Sequence, residues 1–149
     1  MNEQRIEPQY SEWVLPNWSS FIPVLLLFPA LWLTFLPINV SIGIWSGLGA
    51  TALVILLMVA KSARIKVTEE SLQVANAAID RKFVVAVSVV EKSNAFAARG
   101  RELDPRAWIH FQSSVGTLAR IEINDPEDPT PYWLFSTRNP EKLKEALGF

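Results

Sequence analysis

The stretch WVLPNWSSFIPVLLLFPALWLTFLPINVSIGIWSGLGATALVILLMVA, residues 13–60, contains no Asp, Glu, Lys, Arg or His. A helix needs about 20 mostly apolar residues to cross a hydrocarbon core of roughly 30 Å. This run holds enough for two, with Pro37, Asn39, Ser41 and Gly43 crowded near its middle. Lipid offers no partner for free N–H and C=O groups, so such spans are helical. The fold class that follows is an α+β membrane protein: a transmembrane helical hairpin over residues 16–60, an N-terminal cytoplasmic arm over residues 1–15, and a small cytoplasmic domain over residues 61–149.

Tyr10, Trp13 and Trp18 form an aromatic belt around the start of the first span, near Pro16, a placement that amphipathic rings favour at headgroup level. Pro23 and Pro29 fall inside that span, each removing a backbone donor, and predict a bend or local unwinding. In the second span Gly43 and Gly47 are spaced as GxxxG and are followed by Ala50. Small residues at that spacing let two backbones approach closely, so these three form the expected helix-packing face, directed at the first span. Lys61, Arg64 and Lys66 follow the second span at once, and the turn between the spans carries no positive charge. The bias of Lys and Arg toward the cytoplasm places the protein in the plasma (inner) membrane with both termini cytoplasmic.

Beyond residue 61 the apolar run gives way to alternation. Ile65 and Val67 share one face and Arg64, Lys66 and Thr68 the other, as in a strand. Glu69 to Ser71 turn the chain, Leu72 and Val74 continue inward, residues 78–80 form a third short strand, and FVVAVSVV (residues 83–90) is β-branched enough to be buried. Residues 93–106 read as an irregular loop with one helical turn. Residues 108–111 and 118–124 alternate again around SSVG, predicting a second hairpin. DPEDPTP (residues 125–131) is a rigid turn, and residues 132–137 are a further strand. Asn139 as N-cap, Pro140 in the first turn, an apolar face of Leu143, Ala146 and Leu147, and Gly148 as the stop define a final helix. Six or seven short strands and one terminal amphipathic helix describe a small β-barrel-like domain in pleckstrin-homology-like order, an inference about architecture that names no ligand.

ELDPRAW (residues 102–108), together with INDPEDPTPYWLFSTRNPEKL (residues 123–143), resembles a family of small actinobacterial membrane proteins of unknown function. Its members look like this chain throughout, with two spans, a β-rich cytoplasmic domain, and an ELDPxAW and DPxDPTPYWxxSTRxPxxL signature. The resemblance implies no activity, cofactor or site residue.

Composition excludes several function classes. The chain has no cysteine, hence no disulfide, thiolate metal site or cysteine nucleophile. Fourteen Lys plus Arg stand against 15 Asp plus Glu, so no basic field points to nucleic acid. The single histidine, His110, lies in a strand, and the nearby Ser113, Ser114 and Asp104 come without the glycine-rich turn that positions a nucleophile. Met58 is the only haem-ligand type between residues 13 and 60. Asp125, Glu127 and Asp128 are interleaved with prolines and read as local caps in a turn rather than calcium ligands. No enzyme activity, metal, cofactor or small-molecule substrate is expected.

Two surfaces remain. Lys61, Arg64, Lys66, Arg81 and Lys82 form a basic juxtamembrane set suited to anionic lipid, each charge being worth about 1 kcal/mol near an anionic leaflet. Trp108, Asp128, Tyr132, Trp133 and Arg138 have the composition of a partner-binding surface. The expected function is a non-enzymatic accessory subunit that contacts other membrane protein subunits. The setting of the family points to the respiratory cytochrome bc/oxidase supercomplex. A membrane-tethered sensor of anionic lipid headgroups is the second expectation.

Overall fold

The structure is a computed structural model that describes residues 8–149. The part of the expected N-terminal arm before Pro8 lies outside the described residues. Two compact units emerge: Leu15–Ser62 is one, and the other joins the residues up to Val14 to Ala63–Phe149.

The apolar unit opens with a 3-10 turn, Trp18–Phe21, and continues as α1 (Ile22–Leu25) and α2 (Leu27–Phe35). Pro23 sits in the first turn of α1, and Leu26 separates the two helices, so the first apolar segment is broken as its prolines predict. The second segment is one helix, α3 (Val40–Ala60). Asn39 caps it, its Oδ1 accepting the amides of Ser41 at 2.8 Å and Ile42 at 3.3 Å, which satisfies two of the free donors of the first turn. Trp18–Phe35 and Val40–Ala60 are each long and apolar enough to cross a membrane.

The second unit is built from two four-stranded sheets. The first is an antiparallel meander in the order β1 (Tyr10–Val14), β2 (Ala63–Val67), β3 (Ser71–Val74), β4 (Ala77–Asp80). The second runs β5 (Val84–Val90), β7 (Leu118–Ile123), β8 (Tyr132–Ser136), β6 (Trp108–His110). Alternate residues of both sheets, among them Ile65, Leu72, Val87, Ile121 and Phe135, meet in one core. A last helix, α5 (Pro140–Ala146), adds Leu143 and Leu147 to that core and stops at Gly148, whose φ of +82° suits glycine. A short helix, α4 (Ala95–Arg99), supplies the helical turn expected between β5 and β6 and lies over the opposite face of the second sheet with Leu118, Tyr132 and Leu134.

Two expectations change. Tyr10–Val14, assigned by sequence to the N-terminal arm, is a strand paired with β2, with Tyr10 opposite Val67 and Val14 opposite Ala63. Residues 108–111 and 118–124 do not form a hairpin. Both edges of β7 are taken by the longer strands β5 and β8, so β6 crosses to the free edge of β8 and pairs there in parallel, Trp108 beside Trp133 and His110 beside Phe135.

Candidate functional site

The helix pair has a seam made of missing side chains. Gly43 and Gly47 are buried, and a Cβ on Gly43 would lie 2.9 Å from the Trp32 carbonyl oxygen, while one on Gly47 would lie 2.9 Å from that of Phe28. Backbone contact at that distance admits only glycine. The third buried position is Thr51, a further four residues along, and Ala50 is only half-buried beside the seam. Phe28 and Trp32 stack along α2 with ring centroids 6.4 Å apart, so the groove is lined by two aromatic rings on the opposing helix.

Three residues, 15–17, connect β1 to the first apolar segment, and two, Lys61 and Ser62, connect α3 to β2. Both ends of the apolar pair therefore continue into neighbouring strands of one ladder. That ladder is fastened to the C-terminal part of the domain by Glu12, a carboxylate on the inward side of β1 with 9% of its surface exposed. Its Oε2 accepts the hydroxyls of Tyr10 and Thr137, each at 2.6 Å, and its Oε1 accepts the Arg138 amide at 2.8 Å. The Thr137 hydroxyl oxygen accepts the Asn139 amide at 3.3 Å, and its carbonyl accepts the Thr117 hydroxyl. Burial, reinforced by the Glu12 carboxylate, pushes the Tyr10 phenol far above its ordinary pKa. A buried charge persists only with such partners. With three donors from the fold on its two oxygens, Glu12 acts as a clasp between β1 and the segment entering α5.

The STR element is thus explained position by position: Ser136 Oγ accepts the Gln112 amide at 3.0 Å, and Thr137 and the Arg138 backbone hold Glu12. Glu12 was missed by sequence reasoning. The available signal was its place between Tyr10 and Val14 in a period of two.

The basic set divides. Arg64 and Lys66 are exposed on the outward side of β2, Arg64 lying 4.7 Å from the centre of the Trp13 ring, and Lys61 is exposed at the end of α3. Arg81 is committed to the fold: its guanidinium donates to the Ala146 carbonyl at 2.9 Å, Gln9 Oε1 at 3.1 Å and the Thr68 carbonyl at 3.4 Å. Lys82 pairs with Asp80 at 3.1 Å. Arg81 therefore ties α5 to the first sheet.

The aromatic surface is largely interior. Tyr132 and Trp133 are each 4% exposed, because the second sheet is covered on both faces, by the core on one and by α4 on the other. Trp133 packs on Trp108 at 4.7 Å between ring centres, and the Tyr132 hydroxyl accepts the Asp104 amide at 2.8 Å. Trp108 is half-buried, and Asp128 and Arg138 are exposed. Hydrogen bonds from the Thr130 hydroxyl and then its amide, the latter reaching Asp128 Oδ1 at 2.9 Å, hold the Asp128 carboxyl below the usual range, and Asp125 Oδ1 accepts the Glu127 amide at 3.0 Å, so both acids serve the turn. Asp104 is bound by the Arg106 guanidinium at 3.1 and 3.2 Å, which lowers its pKa, and His110 stacks on Trp108, its pKa lowered by burial. Among the described residues no group of three or more His, Asp or Glu side chains is placed to hold a metal ion.

No curated protein and no solved structure matches the chain. A family model described as a protein of unknown function (DUF3093) matches residues 9–147, from the start of β1 to the end of α5, and the chain belongs to that family.

Proposed function

We propose that this chain is a non-enzymatic accessory subunit of a larger integral membrane complex, its two apolar helices spanning the plasma membrane and its sheet domain bracing the cytoplasmic face. The observation that carries the reading is the double connection: the apolar helices lead through two and three residues into adjacent, paired strands, and the same ladder is locked by Glu12. A domain that works by swinging to a substrate is joined by a long flexible linker. One joined at both ends by short, hydrogen-bonded segments suits a bracket. The position of Lys61, Arg64 and Lys66 directly after α3 supports cytoplasmic termini. We read the two sheets closed by α5 as a pleckstrin-homology-like arrangement that departs from the pattern at the parallel strand β6. Within actinobacteria the respiratory cytochrome bc/oxidase assembly is the proposed partner. Affinity purification of the tagged chain in mild detergent tests this: a stoichiometric complex with haem absorption is expected, and recovery of the chain alone overturns the reading.

A second reading, contact with anionic lipid, is favoured by the outward placement of Arg64 and Lys66 together with Lys61. Replacing all three by Gln is expected to lower the anionic lipid that co-purifies with the full chain, and unchanged lipid content counts against it.

A further inference from the structure

The face of the second sheet away from the core is covered by one short helix, α4, with a cavity beside it. Leu118 and Arg120 of β7 and Tyr132 and Leu134 of β8 lie on this face, and α4, whose sequence is AFAAR, covers it with alanines. Side chains that small leave a cavity of about 390 Å³ between α4, β5, β7 and β8, within the range of small-molecule sites. Its walls are of two kinds. Val89, Val90, Ala97, Ala98 and Leu134 are apolar, whereas Asn94, Arg101, Glu102 and Arg120 are polar.

Both arginines at the cavity are weakly held. The carboxylate nearest to Arg120 is Glu122, 3.7 Å from its Nη2, and the carboxylate nearest to Arg101 is Glu102, 3.7 Å from its Nε. Both separations exceed hydrogen-bonding distance. The Arg120 guanidinium is instead laid over the Tyr132 ring, 4.0 Å from its centre, and its Nε is buried with no hydrogen-bond partner. Stacking fixes the plane of the fork, which is how arginine is presented to a planar or tetrahedral oxyanion. Two arginines against one lining glutamate leave the cavity positive.

The outer side of α4 carries the second observation. Phe96 is 91% exposed, the most exposed large apolar side chain among the described residues of the sheet domain, and a neighbouring hollow of about 340 Å³ shares Asn94, Ala97 and Arg101 with the cavity. Lys92 lines a further hollow with Phe96, whereas Arg99, in the same lining, is turned to the fold, donating to the Val115 carbonyl at 2.9 Å and lying over the Phe111 ring. An exposed apolar ring beside a cationic cavity with apolar walls matches one ligand class in both halves.

We propose that the α4 cavity binds the acidic headgroup of an anionic phospholipid, with Arg101 and Arg120 contacting the phosphate, the apolar wall receiving the adjoining carbon chain and Phe96 entering the lipid boundary. The site is separate from Lys61, Arg64 and Lys66 and requires no partner complex. Its test therefore stands or falls apart from the accessory-subunit reading.

The experiment titrates the full chain, in micelles of a neutral detergent, with monomeric dihexanoyl phosphatidylglycerol, dihexanoyl phosphatidylcholine or inorganic phosphate, reading heat by calorimetry. Saturable one-to-one binding of the phosphatidylglycerol is expected, at least tenfold tighter than that of either other probe. Arg101→Gln, a change at an exposed side chain, and Arg120→Gln should each weaken it several-fold, and Ala97→Leu, which fills the cavity without altering charge, should abolish it. Near-ultraviolet circular dichroism establishes that each variant is folded. Equal binding by wild type, Arg101→Gln and Ala97→Leu overturns the site. Equal affinity for inorganic phosphate overturns the lipid as occupant and assigns the arginines to a soluble phosphate.

Discussion

Glu12 shows how one residue decides the architecture around it. Charge-assisted hydrogen bonds contribute about 1.5–3 kcal/mol, and a buried donor left without its acceptor costs about 1–3 kcal/mol. Glu12→Ala strands the Tyr10 hydroxyl, the Thr137 hydroxyl and the Arg138 amide together. We expect a loss of roughly 3 kcal/mol, measured by denaturant unfolding of the sheet domain, with a smaller loss for Glu12→Gln, which keeps one acceptor oxygen. Ala75 stands at the other extreme: at φ +52° it holds a left-handed conformation between Val74 and Ala77 of the β3–β4 hairpin. That conformation costs an L-residue about 1–2 kcal/mol, so Ala75→Gly should stabilise the domain slightly despite the extra entropy of the unfolded chain, and a lower unfolding midpoint would refute the strain. His110, the single histidine, has its pKa lowered by burial. The folded state therefore takes up its proton less readily than the unfolded one, and the sign follows: stability is complete above pH about 6.5 and falls as pH drops below it. His110→Gln should flatten that decline between pH 7 and 5, before the carboxylates titrate. Little of this was legible in sequence. The STR motif marked the right place, but the partner of Thr137 lies 125 residues away, and local periodicity carries no signal over that distance.

At the scale of the element, legibility follows the regularity of the environment. The apolar helices were readable because an uncharged apolar run of that length is long enough for two helices, and the prolines forecast the break between α1 and α2. β1 was hidden because its alternation is inverted: a glutamate points inward at Glu12 and a tryptophan outward at Trp13, where it stacks with Arg64. β8 was misjudged for the opposite reason. Alternation assigns half of its residues to solvent, yet all five are buried, since α4 covers the face that would otherwise be open. The seam of α3 has a direct test. Gly47→Ile would drive a branched side chain into the Phe28 carbonyl, whereas Gly49 has nothing within 4 Å of an added Cβ. Overpacking of this kind costs about 1–3 kcal/mol. Gly47→Ile should lower the melting temperature of the full chain in detergent by several degrees, with Gly49→Ala leaving it unchanged. Equal melting of Gly47→Ile and wild type would mean that the two helices do not pack through this glycine.

For the whole molecule, the decisive fact is that the sheet domain is discontinuous in sequence. A fragment of residues 63–149 retains β2 to β8 but lacks β1, and with it Val14, which is fully buried, and the Glu12 clasp. Its first sheet would end on an exposed β2 edge, and the donors of Thr137 and Arg138 would face a void. Loss of one buried valine and three charge-assisted bonds removes on the order of 5 kcal/mol, comparable to the whole stability of a small domain. The fragment is expected to be unfolded or aggregated. Val14 and Ala63 are direct cross-strand partners, and such pairs have Cα atoms about 4.5–5.5 Å apart. A loop of four Gly or Ser residues replacing Leu15–Ser62 should therefore close β1 onto β2 as a hairpin and yield a soluble, folded domain without the apolar helices. Dispersed amide resonances from that shortened chain, alongside collapsed spectra from residues 63–149 alone, are the expected pair of outcomes. If residues 63–149 fold unaided, β1 is an accessory edge, the Glu12 clasp contributes little, and the double connection ceases to explain how the domain is braced.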